Sequence, residues 1–400
     1  MNSMRRSGQS AVPPVRSKDR FLVFGAPEIA EAEIDEVVAS MKARWLGTGP
    51  KVARFENDFK AYVGGNHAAA VNSCTAALHL SLVAMGLQPG DEVITTPMTF
   101  CATANAIIHA GGMPVLADID PVTLNIDPAA LAARVTPRTR AVVIVHFAGR
   151  PCDLDAITAT CERHGITLIE DCAHAIETQY KGVHVGTFGR YGCFSFYATK
   201  NLTTGEGGMV IARHRDDVDK IKVLALHGMS KDAWKRFSDD GYKHYDVVAC
   251  GFKYNMMDLQ AAIGIHQLAR LEQNWLRRQR IWQTFDRELA DTGLGLPAAA
   301  RAHERHALHL YTVQVDPARC GIDRDTFMNG MSANNIGVGV HYRSLVEHPY
   351  YRERYGWQGG DVPVAFEVGQ RILSLPLSAA MTDADVADTI TAVKRVLART

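Results

Sequence analysis

Apolar and polar positions alternate with two different periods along the chain, and the change of period predicts the elements. From residue 67 to 215, short runs rich in Val and Ile are separated by amphipathic stretches, the pattern of strands joined by helices. The predicted strands are residues 92–96, 113–118, 140–146, 166–171, 193–198 and 209–213. The helices predicted between the first four strands are residues 99–111, 127–135 and 153–165. We therefore expect an α/β fold with a mostly parallel mixed sheet flanked by helices.

Helical spacing of apolar residues also predicts elements outside this region. One helix is predicted over residues 29–45, and a long one over 256–289, whose length requires a change of packing partner. Two apolar runs, 308–316 and 335–342, precede a final helix over 383–399. The expected divisions are a disordered tail over 1–20, a large domain over 21–270 and a small α+β domain over 271–400.

The composition indicates a globular protein without a strong electric field. Hydrophobic residues make up 47% of the 400 positions and charged residues 22%, which is enough to bury a core and argues against extended disorder. Lys plus Arg number 43, as do Asp plus Glu, so no net charge attracts phosphate backbones or an anionic membrane. We expect neither nucleic acid nor a membrane as a partner.

The sequence indicates neither export nor a metal site. Residues 1–20 are basic and polar and lack the apolar stretch of a secretory signal, and no run of about 18 apolar residues occurs. We therefore expect a cytoplasmic protein. The eight cysteines are scattered without a CxxC pair or a zinc-like His spacing, so we expect reduced core residues and no metal.

Three segments place polar groups where the strands of an open α/β sheet end, which is where ligands collect. Asp171 ends an otherwise apolar strand, and a buried carboxylate there needs a cationic partner. Lys200 follows another strand and precedes a run of Thr and Gly that lets the backbone approach a ligand closely. Ser73 and Thr75 stand at the start of a predicted helix, whose free N–H groups form an anion site.

An amine, a carboxylate and a phosphate-binding helix terminus are the groups that pyridoxal 5'-phosphate (PLP) requires. Lys200 would supply the Schiff-base amine, and Asp171 would keep the pyridine nitrogen protonated so that the ring accepts electrons. Taken singly, Lys200 is explained by a surface charge, Asp171 by a cap or an ion pair, and Ser73 and Thr75 by capping alone. Only the combination of these residues predicts the cofactor.

Eight ordered stretches resemble the DegT-type (DegT/DnrJ/StrS) family of nucleotide-sugar aminotransferases over nearly the whole chain after residue 20. They are WLGTGPKVARFE, VNSCTAALHL, PGDEVITTPMTF, PVLADIDPVTLNID, VHFAGRPCDLDAI, IEDCAHAIET, FSFYATKNLTTGEGG and GFKYNMMDLQAAIG. Because these are fold type I PLP enzymes, the resemblance implies an aspartate-aminotransferase-like fold with a large sheet domain and a smaller C-terminal α+β domain. Neither GxGxxG nor GxxxxGK[ST] occurs, which disfavours a Rossmann dehydrogenase and a P-loop NTPase.

The resemblance also implies roles at the cofactor for individual residues. Lys200 would form the internal aldimine and move the proton between the amine-bearing carbon and the cofactor. Asp171 would pair with the ring nitrogen, and His174 resembles the family's polar contact near the cofactor's hydroxyl group. Phe100 resembles the aromatic residue that stacks on the pyridine face, with plain core packing as the alternative.

Phosphate binding is implied for Ser195, Cys74 and Thr75, and Asn255 resembles a residue that the neighbouring subunit donates to the phosphate. That last role implies a homodimer, unless Asn255 is only a turn or cap residue. Many family members have Gly where Cys74 stands and Gln where His174 stands. Cys74 still offers its backbone N–H to the phosphate, whereas His174 is the departure that would alter the ring's electronics or its pH response.

Substrate contacts are implied less directly. His341 and Tyr342 stand where the family often lines its sugar site, with a structural role for His341 as the alternative. The insert over 227–246 mixes aromatic and charged residues, and either contact with a nucleotide sugar or a solvated surface loop explains it.

The function implied by the resemblance is PLP-dependent amino transfer from an amino acid, glutamate, to a nucleotide-linked 4-keto sugar, by a ping-pong mechanism. The same scaffold also serves 3-keto sugars and keto-cyclitols. A PLP-dependent sugar dehydratase is disfavoured because relatives of that kind typically have His at the position of Lys200. A regulatory binding protein on the same fold would have no reason to keep the lysine. Polysaccharide and antibiotic biosynthesis both remain open as pathways.

Overall fold

The computed structural model describes residues 13–230 and 245–398. Within these ranges the strands are β1 His67–Val71, β2 Glu92–Thr95, β3 Met113–Leu116, β4 Thr139–Val145, β5 Thr167–Asp171, β6 Gln179–Tyr180, β7 Val183–His184, β8 Tyr191–Ser195, β9 Gly208–Ala212, β10 Glu304–Arg305, β11 Tyr311–Gln314 and β12 Ile372–Leu375. The α-helices are α1 Glu31–Lys42, α2 Pro50–Val63, α3 Cys74–Ala84, α4 Ala102–His109, α5 Pro128–Ala133, α6 Leu154–His164, α7 Arg215–Ala225, α8 Asp258–Ala269, α9 Leu271–Leu289, α10 Pro317–Cys320, α11 Arg324–Ala333, α12 Pro349–Tyr355, α13 Pro363–Arg371 and α14 Asp383–Leu397.

A seven-stranded sheet in the order β1-β9-β8-β5-β4-β2-β3 forms the centre of the fold. Neighbours from β8 to β3 pair in parallel, whereas β9 is antiparallel to both β8 and β1. The prediction of a mostly parallel mixed sheet is therefore confirmed. Apolar side chains pack against both faces of the sheet, which is why the parallel strands read as continuous apolar runs in the sequence.

Two strands of the seven-stranded sheet show the clearest differences from the prediction, for local reasons. The strand predicted over 193–198 occupies Tyr191–Ser195, because the chain turns after Ser195 and the Lys200 N–H donates to the Tyr197 carbonyl oxygen. The strand His67–Val71 was not among the predicted ones. Its three consecutive alanines have little β-propensity, and pairing with β9 determines its conformation.

The helix predicted over 256–289 is two helices, α8 and α9, which meet at Arg270. The Arg270 guanidinium pairs with Glu33 at 2.7 Å, so the break is held against α1. Beyond it, Ile281, Phe285 and Leu289 of α9 enter a separate apolar core with β11, β12, α11 and α14. The predicted change of packing partner therefore occurs at Arg270, between α8 and α9.

The apolar run over 335–342 forms single bridges to neighbouring segments, such as Gly339 to Ser374. One expectation about the N-terminal residues needs correction. Residues 13–20 were expected in a disordered tail, yet Arg16 is buried and pairs with Asp385 at 2.6 Å and Asp388 at 2.9 Å. Residues 1–12 and most of the 227–246 insert, residues 231–244, lie outside the described residues.

The structure also bears on the expectations about the cysteines and about membrane-spanning helices. All eight cysteines are free, and Cys250 is the one exposed member of the set. In the part of the chain that the structure describes, no helix combines the length and the apolar character needed to cross a bilayer.

A buried ion pair joins α9 to the loop that follows β5. Arg278 and Glu177 are almost fully buried, and Asn201 Nδ2 also donates to Glu177 Oε2 at 2.9 Å. Removing one member of such a pair leaves the other charge buried without compensation.

We therefore expect Arg278→Met to lower the free energy of unfolding by about 3–5 kcal/mol. Lys222→Met is the matched control, because it breaks the more exposed Lys222–Glu56 pair and should cost less than about 1 kcal/mol. Denaturant unfolding of both variants measures the difference, and equal losses would show that burial of the Arg278 pair has no special weight.

Candidate active site

The residues predicted for the site converge on one cavity at the carboxyl edge of the large sheet. The cavity, called the cofactor cavity below, has a volume of about 620 Å³. The predicted residues that line it are Cys74, Thr75, Phe100, Asp171, His174, Ser195, Lys200, His341 and Tyr342. Asn255 does not line it. The expectation that strand ends would bring these groups together agrees with this arrangement.

Asp171 ends β5 with its carboxylate buried and held by hydrogen-bond donors. The Ala173 N–H donates to Oδ1 at 3.1 Å, the Thr103 hydroxyl donates to Oδ2 at 2.9 Å, and the Cys74 thiol lies 3.8 Å from Oδ1. Burial nevertheless raises the pKa of Asp171, and the donors and Lys200 only oppose this shift. None of the ion pairs among the described residues includes Asp171, so this buried carboxyl group is open to a cationic ligand.

Lys200 lies in the turn after β8, in the wall of the same cavity. Burial lowers the pKa of its amine to about 8, although the nearby Cys74 and Asp171 oppose the shift. A larger fraction of the amine is therefore neutral near physiological pH than for an ordinary lysine, whose pKa is about 10.4. A neutral amine in a desolvated site is the form that attacks a carbonyl carbon.

The first turn of α3 forms an anion site at the edge of the cavity. The Ser73 hydroxyl caps the helix by accepting the Ala76 N–H at 3.1 Å, so the first N–H groups, on Cys74 and Thr75, remain directed outward. A Cβ at Gly208 would lie 2.5 Å from the Ser73 carbonyl carbon, so only glycine lets β9 approach this terminus. Ser195, at the end of β8, adds a hydroxyl group.

Phe100 and Tyr342 form an aromatic wall with ring centroids 6.2 Å apart. Phe100 is 59% exposed despite its size, which rules out the alternative that it is an ordinary core residue. An exposed phenyl ring at the mouth of a cavity suits stacking on a planar heterocycle.

The hydrogen bonds of the His174 ring determine where the hydroxyl proton of Tyr342 points. The Ala148 N–H donates to His174 Nδ1 at 3.3 Å, and burial holds the pKa of His174 well below its usual value. The neutral ring therefore carries its proton on Nε2, which lies 3.1 Å from the Tyr342 hydroxyl oxygen and donates to it. The hydroxyl proton of Tyr342 is then free to point into the cavity.

His341 is held from outside the cavity. Its Nδ1 lies 2.9 Å from the Ser374 hydroxyl oxygen, and its ring stacks on Phe24 at 5.3 Å. Burial, with the charge of Lys200, lowers the pKa of His341 to about 4. The ring is thus neutral and fixed, so a structural role is compatible with its place in the lining.

Asn255 lies outside the cavity, at a bridge to Val71 beside β1. Its Nδ2 donates to the Thr48 hydroxyl oxygen at 2.8 Å, whereas its buried Oδ1 has no hydrogen-bond partner among the described residues. The role at a neighbouring subunit's phosphate stays a prediction.

Sequence reasoning missed Thr103, which lies in α4 and donates directly to Asp171. The Thr99 hydroxyl, 2.8 Å away, in turn contacts the Thr103 hydroxyl. A hydroxyl residue at this spacing in a predicted helix had no distinguishing signal, because the contact depends on how α4 packs beside β5.

The groups present fit PLP. A buried carboxylate without a cation would accept a protonated pyridine nitrogen, the α3 terminus would accept a phosphate, and the Lys200 amine would accept the aldehyde. Fold and site together define a PLP-dependent aminotransferase of the aspartate-aminotransferase fold.

Comparison with known proteins identifies the family. A model of the DegT/DnrJ/EryC1/StrS aminotransferase family matches residues 27–394, and the chain belongs to this family. The spore coat polysaccharide biosynthesis protein SpsC of Bacillus subtilis (strain 168) is 49% identical over 389 residues, covering 96% of this chain and 99% of SpsC.

Solved structures agree with this assignment. The PLP-form of the putative sugar aminotransferase Spr1654 from Streptococcus pneumoniae superposes with a TM-score of 0.87 at 30% identity, covering 95% of this chain and 99% of Spr1654. DesI, solved in the presence of its TDP-sugar product, gives a TM-score of 0.85 at 31% identity, covering 97% of this chain and 95% of DesI. The chain is a PLP-dependent sugar aminotransferase.

The depressed pKa of Lys200 predicts its reactivity in cofactor-free protein. Because only the neutral amine reacts, acetylation of Lys200 by acetic anhydride should rise with pH around a midpoint near 8. A lysine in a short peptide is the control, with a midpoint near about 10.4. Mass spectrometry of the Lys200 peptide across the pH range measures both, and a midpoint as high as the control would contradict the desolvated site.

Proposed function

We propose that the enzyme transfers the amino group of glutamate to the 4-keto group of a nucleotide-linked sugar. The observation that carries the proposal is that the Lys200 amine and the Asp171 carboxylate, which has no ion-pair partner among the described residues, line the same cavity. A nucleotide carrier is supported by DesI, which was solved with a TDP-sugar product. Residues 227–264, which resemble members acting at the 4-position, favour that position over a 3-keto sugar or a keto-cyclitol.

The side chains divide the work of the reaction. PLP, when bound, supplies an electron sink for the carbon that bears the amino group. In the first half-reaction, Lys200 Nζ would take the proton from that carbon of the amino donor and pass it to the cofactor. In the second half-reaction, it would deliver a proton to the sugar carbon. Asp171 would hold the ring nitrogen charged, while the α3 terminus and Ser195 would hold the phosphate.

Amino transfer is tested with PLP-loaded enzyme, glutamate and a panel of nucleotide keto sugars, by following release of 2-oxoglutarate. We expect one or a few 4-keto sugars to turn over, and Lys200→Ala to lower the rate by about 10³-fold or more because the proton carrier is lost. Turnover by Lys200→Ala within about tenfold of the wild-type rate would contradict the role of the lysine as proton carrier. Amination of 3-keto sugars alone would contradict the proposed 4-keto position.

A homodimer is part of the proposed function. Helix α1 buries Glu33 and Ser40 against its own subunit, whereas Ile34, Val38 and Met41 are 49%, 38% and 59% exposed at helical spacing. An apolar stripe turned outward beside polar residues turned inward supports a protein–protein contact on this face of α1. Trp45 and Leu46, also exposed, extend the stripe beyond the helix.

The contribution of Asn255 across this interface is tested by subunit mixing. Asn255→Asp would place a negative charge beside the partner's phosphate, and Lys200→Ala removes the amine, so each homodimer should be nearly inactive. Random mixed dimers should recover roughly a quarter of wild-type activity, because half of them contain one site with both intact residues. No recovery would show that Asn255 serves its own subunit's site.

A further inference from the structure

Within the described ranges, three donors reach the Asp171 carboxylate, and one of them is a hydroxyl group. The Ala173 N–H donates to Oδ1 at 3.1 Å, and the Thr103 hydroxyl donates to Oδ2 at 2.9 Å. The Cys74 thiol lies 3.8 Å from Oδ1 but 3.5 Å from the Cys193 carbonyl oxygen, so its one weakly donated proton is divided between two acceptors. Thr103 therefore supplies the strongest side-chain hydrogen bond that this carboxylate receives.

The direction of the Thr103 hydrogen bond is fixed by its neighbours. An ionised carboxylate only accepts hydrogen bonds, so the single hydroxyl proton of Thr103 points at Asp171 Oδ2. The Thr99 hydroxyl oxygen lies 2.8 Å from that of Thr103, and because the Thr103 proton is already used, Thr99 is the donor in this contact. The two threonines form a chain of donors, called the threonine relay below, that ends on the carboxylate.

Burial and helix α4 hold the threonine relay in place. Thr103 is 1% exposed and Thr99 is 3% exposed, so water has little access to either hydroxyl group. Thr103 lies in the first turn of α4, where its N–H donates to the Phe100 carbonyl oxygen at 3.2 Å. Both threonines also line the cofactor cavity. The relay therefore acts on Asp171 at the wall where that carboxylate would meet the pyridine nitrogen.

A proton shared by Asp171 and a pyridine nitrogen lies on whichever group binds it more strongly. Burial raises the pKa of Asp171, which favours a neutral acid and an unprotonated ring. The hydrogen bonds from Ala173 and Thr103 stabilise the carboxylate and oppose this shift, as do the nearby Lys200 and His146. Without the Thr103 bond, more of the proton would move to the acid, and the uncharged ring would accept electrons less well.

We propose that Thr103 is a positioning residue that keeps the shared proton on the cofactor's pyridine nitrogen rather than on Asp171, with Thr99 acting through it. This role applies to amino transfer to any keto sugar, so it does not depend on the proposed 4-keto substrate. A hydrogen bond to a charged group corresponds to a change of about tenfold to hundredfold in such a proton equilibrium.

The protonation of the ring is measured by nitrogen-15 NMR of enzyme loaded with PLP that is labelled at the pyridine nitrogen, without an amino donor or a sugar. Thr103→Val replaces the hydroxyl with a methyl group of similar size, and we expect it to move the signal toward that of an unprotonated pyridine. Thr103→Ser keeps the hydroxyl and should keep the wild-type signal. Thr99→Val should give a smaller shift in the same direction, since it removes only the donor to Thr103.

A second readout is the rate at which glutamate converts PLP to its amino form in single turnovers, followed by absorbance. Thr103→Val should lower the maximal rate about tenfold or more, because the uncharged ring draws electrons less strongly. The glutamate concentration that gives half of this rate should change little, because the lost hydroxyl donates to Asp171 and not to the amino donor.

Thr389→Val is the matched control. Thr389 is also fully buried in a helix, but it donates to the Asp385 carbonyl oxygen at 2.8 Å and does not line the cofactor cavity. This variant should keep the wild-type nitrogen signal.

A wild-type nitrogen signal in folded, PLP-loaded Thr103→Val would overturn the proposed role of Thr103. An equal shift in Thr103→Ser would also overturn it, because the effect would then belong to the methyl group. An equal shift in Thr389→Val would assign the effect to packing in general. The labelled-cofactor measurement involves no sugar, so a failure of the 4-keto reaction leaves its result intact.

Discussion

The site depends on a carboxylate that is buried without a countercharge. Asp171 and Lys200 line one cavity, yet burial raises the pKa of the acid and lowers that of the amine. If the two formed a close ion pair, both pKa values would shift the opposite way. Desolvation outweighs their attraction, so each group is kept ready for a partner that the polypeptide does not provide. A ligand with a cationic ring nitrogen and a carbonyl carbon satisfies both at once.

Packing, rather than charge, positions the anion site at the N-terminus of α3. Helix α3 is buried along almost its whole length between the sheet and its neighbours, so its N-terminus has a fixed direction. The absence of a side chain at Gly208 brings that terminus against β9. A helix terminus held in this way can bind a phosphate with backbone N–H groups alone, so the side chain of Cys74 is not needed for that contact.

Sequence periodicity and strand-end chemistry predicted much of the fold and of the site. The parallel strands were found because burial on both faces leaves continuous apolar runs, and Asp171 and Lys200 stood out because they interrupt that pattern. The strand of three alanines escaped detection because its pairing with β9, not its composition, defines it. Thr103 escaped for the same reason, because its contact with Asp171 depends on how α4 packs against a segment distant in sequence. The position of Asn255 relative to a second subunit is beyond any pattern in a single chain.

His174, at a position where the resemblance implies a glutamine in many members, shows how a residue lining the cofactor cavity can act through a neighbour. A glutamine presents a carbonyl and an amide, whereas the neutral His174 ring has one acceptor and one donor, both already engaged. Its acceptor is occupied by the Ala148 N–H, so its donor must face the Tyr342 oxygen. The histidine thereby fixes the direction of the Tyr342 proton, and burial keeps the ring neutral, so that direction does not reverse within the physiological pH range. A hydroxyl that always donates into the cavity favours an acceptor oxygen there, such as that of a carbonyl group.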